Sequence, residues 1–338
     1  MFQTRSAKPA RPLTAALLAT PLLWAGGSHR AEALVILPSF DLTITGNANA
    51  PQIMADINQA ASVYRMYTDP VTVTIFFQGA HQGTNSFLGA SGATQYGFSY
   101  ASYTNALHTD AITYNNSIEL TAFNHLASGN KATNIFATSA DARALGCSNC
   151  LGTVSHIDFS NSTVVFGGSY DGAIGLNLDQ PFSLTRTNGT IPGGTYDIIT
   201  TIEHEIDEIL GIGGQGSLLP NFANGNQIGP MDLYRYSAAG TPTLSTSGTA
   251  YFSIDGGATN IAGFNQTNGG DFGDWVTGTG RVQDAFTFSG QVADISPTSP
   301  ESIALQAVGY DLPEPGTLTL LAAGAVLMSG LRSRRRRK

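Results

Sequence analysis

The residues best suited to chemistry in this sequence are an imidazole and two carboxylates on one predicted helix. In the run His204-Glu205-Ile206-Asp207-Glu208, the side chains of His204 and Glu208 are spaced i, i+4 and therefore point the same way from a helix. Imidazole nitrogen and carboxylate oxygen both bind zinc. Glu205 lies one step round the helix, where a carboxylate can take a proton from a metal-activated water.

The helix that must position these groups is predicted to span Tyr196 to Leu210. Thr195 precedes it as an N-cap and Asp197 falls in its first turn, while Gly211 stands where a helix C-cap favours glycine. A single apolar stripe at helical spacing is formed by Ile199, Ile202, Ile206 and Ile209. The pattern predicts one face packed on a core and another face available for a site.

The charge on this helix points to a cation. Glu205, Asp207 and Glu208 crowd its last turns, where the helix already carries partial negative charge, and no lysine or arginine offsets them. Each carboxylate placed there costs on the order of 0.3–1 kcal/mol. A bound divalent cation would reverse that cost, and the alternative is a solvated acidic face that tolerates it.

The rest of the chain predicts an α+β fold. Phe40 to Ile44 and Val71 to Phe77 have strand patterns, and Pro51 to Asp69 between them has helical spacing. From Gly213 to Gly280 the sequence is dominated by Gly, Asn, Ser and Thr, which predicts an irregular region with hairpins. Pro300 to Val308 predicts a last helix.

The motif helix resembles that of zincin peptidases, whose HExxH sequence provides two metal-binding histidines and a general-base glutamate. Here Glu208 stands at the second histidine. In the longer metzincin motif HExxHxxGxxH, Gly211 matches the glycine and Gly214 stands at the third histidine, and Met231 matches the methionine of the downstream turn. The mature chain is similar to a family of PEP-CTERM-bearing bacterial metalloproteases, in which HEI-x-E followed by a DLYRY-like segment looks typical.

The resemblance implies a metzincin-like two-lobed zincin with a mixed sheet, an active-site helix and an irregular C-terminal lobe. It implies an exported zinc-dependent endopeptidase that acts on polypeptides, with zinc on His204 and Glu208 and with Glu205 as general base. Because Gly214 has no ligating side chain, the third ligand is expected at Asp232. His156 and Asp158, on a predicted strand, are the alternatives.

Two tyrosines after Met231 are considered as oxyanion stabilisers. Tyr234 and Tyr236 follow it in the segment Asp232-Leu233-Tyr234-Arg235-Tyr236, although the Met-x-Tyr spacing of some metzincins would fall on Leu233. Packing of a hydrophobic hairpin is the alternative role for both tyrosines.

Both ends of the chain resemble targeting segments. Residues 1–33 combine a basic start, a short apolar run and a small-x-small site, which predicts a cleaved signal peptide. Residues 313–338 begin with Pro-Glu-Pro, continue with an apolar segment at 317–331 and end in a basic cluster. This tail resembles the PEP-CTERM sorting signal, which implies export across the inner membrane, transient anchoring, processing by a membrane sorting enzyme (an exosortase) and an extracellular or cell-surface destination.

The working protein, residues 34–312, is divided by sequence pattern into an α/β lobe at 34–211 and an irregular lobe at 212–312. The stretch from Leu34 to Glu314 has six basic and 23 acidic residues, a net charge of −17. So acidic a surface argues against nucleic acid as a partner and provides carboxylates for divalent cations. The oligomeric state is not indicated by the sequence.

Two further features are open to more than one interpretation. Cys147 and Cys150 lie in a loop-like run, and in an exported protein a disulfide is expected. The alternatives are a thioredoxin-like redox pair, which would need a strand before it and a helix after it, and a zinc knuckle, which would need two more ligands. The acidic glycine turns Asp255-Gly256-Gly257 and Gly270-Asp271-Phe272-Gly273-Asp274 are either plain turns or sites for structural calcium. The alternative functions are therefore a non-catalytic surface or matrix protein on a zincin scaffold, and a calcium-stabilised adhesion or carbohydrate-binding module.

Overall fold

The computed structural model describes residues 33–126, 133–220 and 227–313, together with the backbone of a short strand near the N-terminus. Its helices are α1 Leu42–Thr45, α2 Ala50–Val63, α3 Tyr100–Tyr114, α4 Ser117–Asn124, α5 Ser139–Ala144, α6 Ile198–Leu210, α7 Gly213–Gly216 and α8 Pro300–Ala307. Its strands are β1 Phe2–Gln3, β2 Val35–Phe40, β3 Thr72–Ala80, β4 Gly89–Ala93, β5 Gln95–Ser99, β6 Asn134–Thr138, β7 Val154–Asp158, β8 Thr163–Phe166, β9 Gly172–Asn177, β10 Phe182–Ser183, β11 Tyr196–Asp197, β12 Gln227–Ile228, β13 Arg235–Ala238, β14 Thr241–Pro242, β15 Tyr251–Phe252, β16 Ala262–Gly263 and β17 Phe286–Thr287. The described part of the chain combines helices with several sheets, and the predicted α+β class is confirmed.

The main sheet has the order β2-β3-β9-β4. Strands β2, β3 and β9 are parallel, and β4 joins the edge in the antiparallel sense. Helix α2 connects β2 to β3 and packs on the sheet and on α6. Along β3, buried and partly buried side chains alternate, as the apolar pattern of the sequence predicts. The opening strand lies earlier than predicted, because Asp41 caps a short helix, α1, with its side chain.

Helix α6 lies at the centre of the molecule, between α2 and the edge strand β4. All of its residues are buried, including the four carboxylic acids Glu203, Glu205, Asp207 and Glu208. It begins two residues later than predicted because Asp197, rather than Thr195, is the N-cap and accepts a hydrogen bond from the backbone N–H of Thr200 at 2.8 Å. Its predicted end is confirmed.

Gly211 ends α6 in the left-handed region, with φ of 104°. That conformation disfavours residues with a Cβ, so glycine is required for the chain to turn out of the helix here. The backbone N–H of Gly211 donates to the carbonyl oxygens of Asp207 and Glu208, which satisfies part of the helix end.

The region after α7 is built from short strands, as its composition predicts. Strands β13 to β16 form an antiparallel sheet in the order β14-β13-β15-β16, and none is longer than four residues. A second small sheet, β12-β6-β5, joins this region to the first half of the chain. The loop between β16 and β17 also belongs to this region, and it contacts α6 through Asp274.

Cys147 and Cys150 form a disulfide bond shortly after α5, so the predicted disulfide is confirmed. Most of the predicted signal peptide and nearly all of the predicted sorting tail lie outside the described residues, as does the whole apolar segment 317–331. Within the described ranges, no helix is both long enough and apolar enough to cross a bilayer.

The buried carboxyl group of Asp56 on α2 provides a test of this packing. Burial raises its pKa from 3.8 to about 6, Asp197 adds to the rise, and the side-chain amide of Gln52 donates to it at 2.9 Å. The folded protein therefore holds a proton that the unfolded chain releases, and stability falls as the pH rises from about 4 to 6. We expect Asp56→Asn to raise the free energy of unfolding by about 2 kcal/mol at pH 7.5.

The measurement is urea unfolding of both proteins at pH 7.5 and pH 4. At pH 4 the carboxyl group of Asp56 is protonated in the folded protein, so most of the cost of burying its charge is absent. The two proteins should therefore differ much less in free energy of unfolding at pH 4 than at pH 7.5. An equal difference at both pH values would contradict a titration-based penalty.

Candidate metal centre

Three side chains from two distant parts of the chain converge beside α6. His204 and Glu208 project from the helix, and Asp274 comes from the loop between β16 and β17. The His204 Nε2 atom lies 3.7 Å from Glu208 Oε1 and 3.9 Å from Asp274 Oδ2. Their ligand atoms all lie within 4.8 Å of one another. Catalytic zinc sites use three protein ligands, and imidazole nitrogen and carboxylate oxygen both bind zinc, so these three side chains are enough for such a site.

The orientation of His204 suits a metal ligand. Its Nδ1 atom lies 3.0 Å from the carbonyl oxygen of Val282. A carbonyl oxygen only accepts, so Nδ1 carries a proton and donates it, and Nε2 is the ring nitrogen that faces the carboxylates and can bind a metal when it is not protonated. A hydrogen bond of this kind to the second ring nitrogen is what holds metal-binding histidines in place.

Glu208 is held from two sides. The hydroxyl group of Ser91 on β4 donates to Oε2, and the backbone N–H of Gly214 donates to Oε1 at 3.1 Å. A Cβ atom at Gly214 would lie only 2.4 Å from Glu208 Oε1. The position at which metzincins carry a third histidine is therefore next to the site, but the Glu208 carboxylate occupies the space that a side chain would need.

Glu205 is the most isolated charged group on α6. It is fully buried, and among the described residues no donor reaches either of its carboxylate oxygens. It faces β4 at Gly89, where a Cβ atom would lie 2.6 Å from Glu205 Oε1. Burial raises its pKa, and the charge of Glu208 raises it further.

Gln283 closes one side of the cluster. Its Nε2 atom lies 3.2 Å from His204 Nε2 and 3.0 Å from Asp274 Oδ1, and its Oε1 atom is buried without a partner among the described residues. Rotation of the amide by 180° would exchange the two atoms and bring a carbonyl oxygen to the same two ligands. Gln283 is therefore positioned to act as a fourth ligand.

The electrostatics of the cluster favour a positive charge. Burial lowers the pKa of His204, but Asp274 and the neighbouring glutamates more than reverse this, and the net shift is well upward. Burial raises the pKa of Asp274, whose Oδ2 atom accepts no hydrogen bond within the described part of the chain. Acceptors outnumber donors here, so the donor set fits a divalent cation.

Asp232, the expected third ligand, does not belong to this cluster. It lies in the 3-10 segment Pro230–Tyr234, where its carboxylate accepts from Ser217 Oγ at 2.6 Å and from the backbone N–H groups of Leu218 and Gly229 at 3.1 and 2.9 Å. Both of its oxygens fix the turn. Asp274, not Asp232, is the carboxylate that lies beside His204 and Glu208.

The other residues considered from sequence have structural contacts. Tyr234 donates through its hydroxyl group to the carbonyl oxygen of Ala307 at 2.7 Å, and Tyr236 donates to that of His125 at 2.9 Å. Both rings are buried, which agrees with the packing alternative. His156 and Asp158 lie on β7, outside the cluster of His204, Glu208 and Asp274.

The two acidic glycine turns differ. In the first, Asp255 accepts from Ser253 Oγ at 2.7 Å and from the hydroxyl and backbone N–H of Thr259 at 2.6 and 2.8 Å, as in an ordinary side-chain-capped turn. The second turn carries Asp274 into the cluster. Its run of acids and glycines is visible in the sequence, where it is compatible with a calcium turn or a plain turn and does not indicate contact with His204. No sequence pattern indicates that Ser91, Val282 and Gln283 contact the cluster.

Comparisons with protein-family models, with curated proteins and with solved structures found no match for this chain. The resemblance to metzincins and to PEP-CTERM-bearing metalloproteases therefore remains an expectation from motifs.

Asp274 and Asp232 can be compared as matched aspartates, since both are buried but only Asp274 faces His204. We expect Asp274→Asn to weaken zinc binding by more than the roughly 10–100-fold that loss of an outer-shell partner costs. Asp232→Asn should keep the affinity and lower the free energy of unfolding by about 1–3 kcal/mol, because a turn donor is left without its acceptor. Zinc affinity by competition with a chelating dye, and urea unfolding, measure the two effects. Loss of zinc in the Asp232 variant alone would contradict this assignment.

Proposed function

We propose that the protein is a zinc-dependent peptidase whose metal is held by His204, Glu208 and Asp274. The observation that carries the proposal is the position of Glu205, a buried carboxylate with no hydrogen-bond donor among the described residues, on the same helix as two of the ligands. A carboxylate kept free of partners beside a Lewis-acid site is suited to accept and return a proton. Zinc bound there would polarise a substrate carbonyl and increase the acidity of a water molecule.

The residues of the chain have separable tasks in this proposal. Val282 orients the ring of His204, and Ser91 and Gly214 fix the carboxylate of Glu208. Glu205 takes a proton as water attacks the peptide carbonyl and then gives it to the leaving amine. Gly89 leaves the room that the Glu205 carboxylate requires. The finer fold assignment, a metzincin-like two-lobed zincin, is part of this proposal and is supported by the motif helix, Gly211 and the edge strand β4.

Burial sets a condition on this activity. His204, Glu208 and Asp274 are each at most 1% exposed, so the covering segments must move before a polypeptide can reach the site. The loop that carries Asp274 and Gln283 lies directly against the ligands and is the segment whose displacement would matter most.

The same burial favours a second candidate function, that of a non-catalytic surface protein with a structural metal. Structural zinc sites have four protein ligands and are closed to solvent. Gln283, with an amide group 3.2 Å from His204 Nε2 and 3.0 Å from Asp274 Oδ1, can complete such a set. In this alternative, Glu205 neutralises the cation and has no part in catalysis.

Export, transient anchoring by the C-terminal tail and processing by an exosortase are proposed together with this function. They rest on the sequences at the two ends of the chain. The acidic composition between the ends suits a protein that works outside the cell and does not bind nucleic acid.

Replacement of Glu205 separates the two functions. We expect Glu205→Gln to lower the rate of cleavage of an unfolded protein substrate by about 10²–10⁴-fold, because the proton acceptor is lost, while zinc remains bound. The readouts are the release of labelled peptide from casein and the zinc content of the same sample.

The matched control is Asp207→Asn, on the same helix. Asp207 is also buried, but it is not one of the three clustered ligands, and its carboxylate accepts from the hydroxyl group of Tyr64 at 2.9 Å. This variant should keep its cleavage rate. Stoichiometric zinc without cleavage in the wild type would reject the peptidase and favour the structural site, and full activity of zinc-loaded Glu205→Gln would reject the assigned role.

A further inference from the structure

A second group of carboxylates lies away from the His204 cluster, where three parts of the chain meet. Asp110 comes from α3, Glu119 from α4, and Asp311 from the segment that follows α8. One carboxylate oxygen from each lies within 4.8 Å of the others. The three residues are 4%, 0% and 3% exposed, so the group is enclosed by protein.

The hydrogen bonds around this group do not account for its charge. Among the described residues, no donor reaches either oxygen of the fully buried Glu119, and none reaches Asp110 Oδ2. The carboxyl group within hydrogen-bonding reach of Glu119 is that of Asp110, which is itself an acceptor when ionised. An unpartnered buried carboxylate is costly, so a group such as Glu119 points to a ligand.

The neighbouring residues add negative charge. The backbone N–H of Asp311 donates to the carboxylate of Asp69 at 3.0 Å, so a fourth buried acid stands next to the group. Asn116 donates through its side-chain amide to Asp311 Oδ1 at 3.0 Å, but it is neutral. Within the ranges that the structure describes, neither Asp110 nor Glu119 has an ion pair with a basic side chain.

We propose that Asp110, Glu119 and Asp311 bind a calcium ion. The donor atoms are all oxygens, which selects a hard cation over zinc. Three carboxylates supply up to six oxygens when they bind bidentately, and calcium takes six to eight. Magnesium fits less well, because it retains several waters and demands octahedral geometry, whereas this group is enclosed.

A calcium ion here would have a structural task. It would join α3 and α4 to the segment after α8, whose other contacts include the hydrogen bond from the N–H of Thr68 to the carbonyl oxygen of Asp311 at 2.8 Å. Because the ion binds only the assembled group, its binding free energy adds to the stability of the fold. The site shares none of the residues assigned to the proposed peptidase activity.

The experiment is thermal unfolding of the purified protein after treatment with EDTA, with and without excess calcium chloride or magnesium chloride. We expect calcium to raise the midpoint by about 3–6 °C and magnesium to raise it less. Glu119→Gln should lose the calcium-dependent rise. Its midpoint in EDTA should equal or exceed that of the wild type, because one uncompensated buried charge is gone. The variant is therefore expected to fold.

Two controls separate this site from the rest of the molecule. Asp56→Asn removes a buried carboxyl group outside both clusters and should keep the full calcium response. His204→Ala disables the other metal centre and should also keep it. Absence of a calcium response in the wild type, or an undiminished response in Glu119→Gln, would overturn the proposal. The first result would mean that the carboxyl groups are held together by shared protons.

Discussion

The constraint on which the rest of the structure depends is the complete burial of a helix that carries four acids. Glu203, Glu205, Asp207 and Glu208 lie within two turns of α6, and none is more than 1% exposed. An isolated carboxylate in a protein interior costs several kcal/mol, or it takes up a proton. Each of the four acids must therefore be accommodated by something brought to α6 from elsewhere in the chain.

Three of the acids have hydrogen-bond donors within reach. Glu203 accepts from the backbone N–H of Ile295 at 3.1 Å, and burial raises its pKa to about 8. Asp207 accepts from the hydroxyl group of Tyr64, and Glu208 accepts from β4 and from α7. Glu205 has no such donor among the described residues, and its charge is adjacent to His204 and Asp274. A cation in this cluster would compensate Glu205 and both carboxylate ligands together, which explains how so acidic a helix can be central.

Much of the scaffold around α6 could be predicted from sequence, because it depends on local patterns. The apolar stripe, the glycine at the end of the helix and the alternation in β3 each reflect interactions within a few residues. The observed N-cap of α6 is Asp197, whereas the sequence predicts Thr195. Both residue types can cap a helix, and the choice depends on a tertiary contact, because Asp197 also binds the guanidinium group of Arg186. Sequence pattern alone does not contain that ion pair.

The third ligand could not be predicted for a similar reason. Asp232 and Asp274 are both acids in compact turns after the motif helix, and no spacing rule distinguishes them. The difference lies in the tertiary position of each turn. Asp232 accepts hydrogen bonds from backbone N–H groups around its own turn, whereas the turn that contains Asp274 packs against α6. Gly214 could be recognised from sequence as lacking a ligand, but not as a position whose space is filled by the Glu208 carboxylate.

The two carboxylate clusters are connected through the end of α6. Tyr310 donates through its hydroxyl group to the carbonyl oxygen of Leu210 at 2.9 Å, and its own carbonyl oxygen accepts from the side chain of Asn116 at 3.2 Å. The next residue, Asp311, belongs to the second cluster, so the segment that would bind calcium also holds the last turn of the motif helix. Glu208 lies in that last turn. Order at the proposed calcium site would therefore restrict the motion of Glu208, a proposed zinc ligand, and the stability of one site would contribute to the geometry of the other.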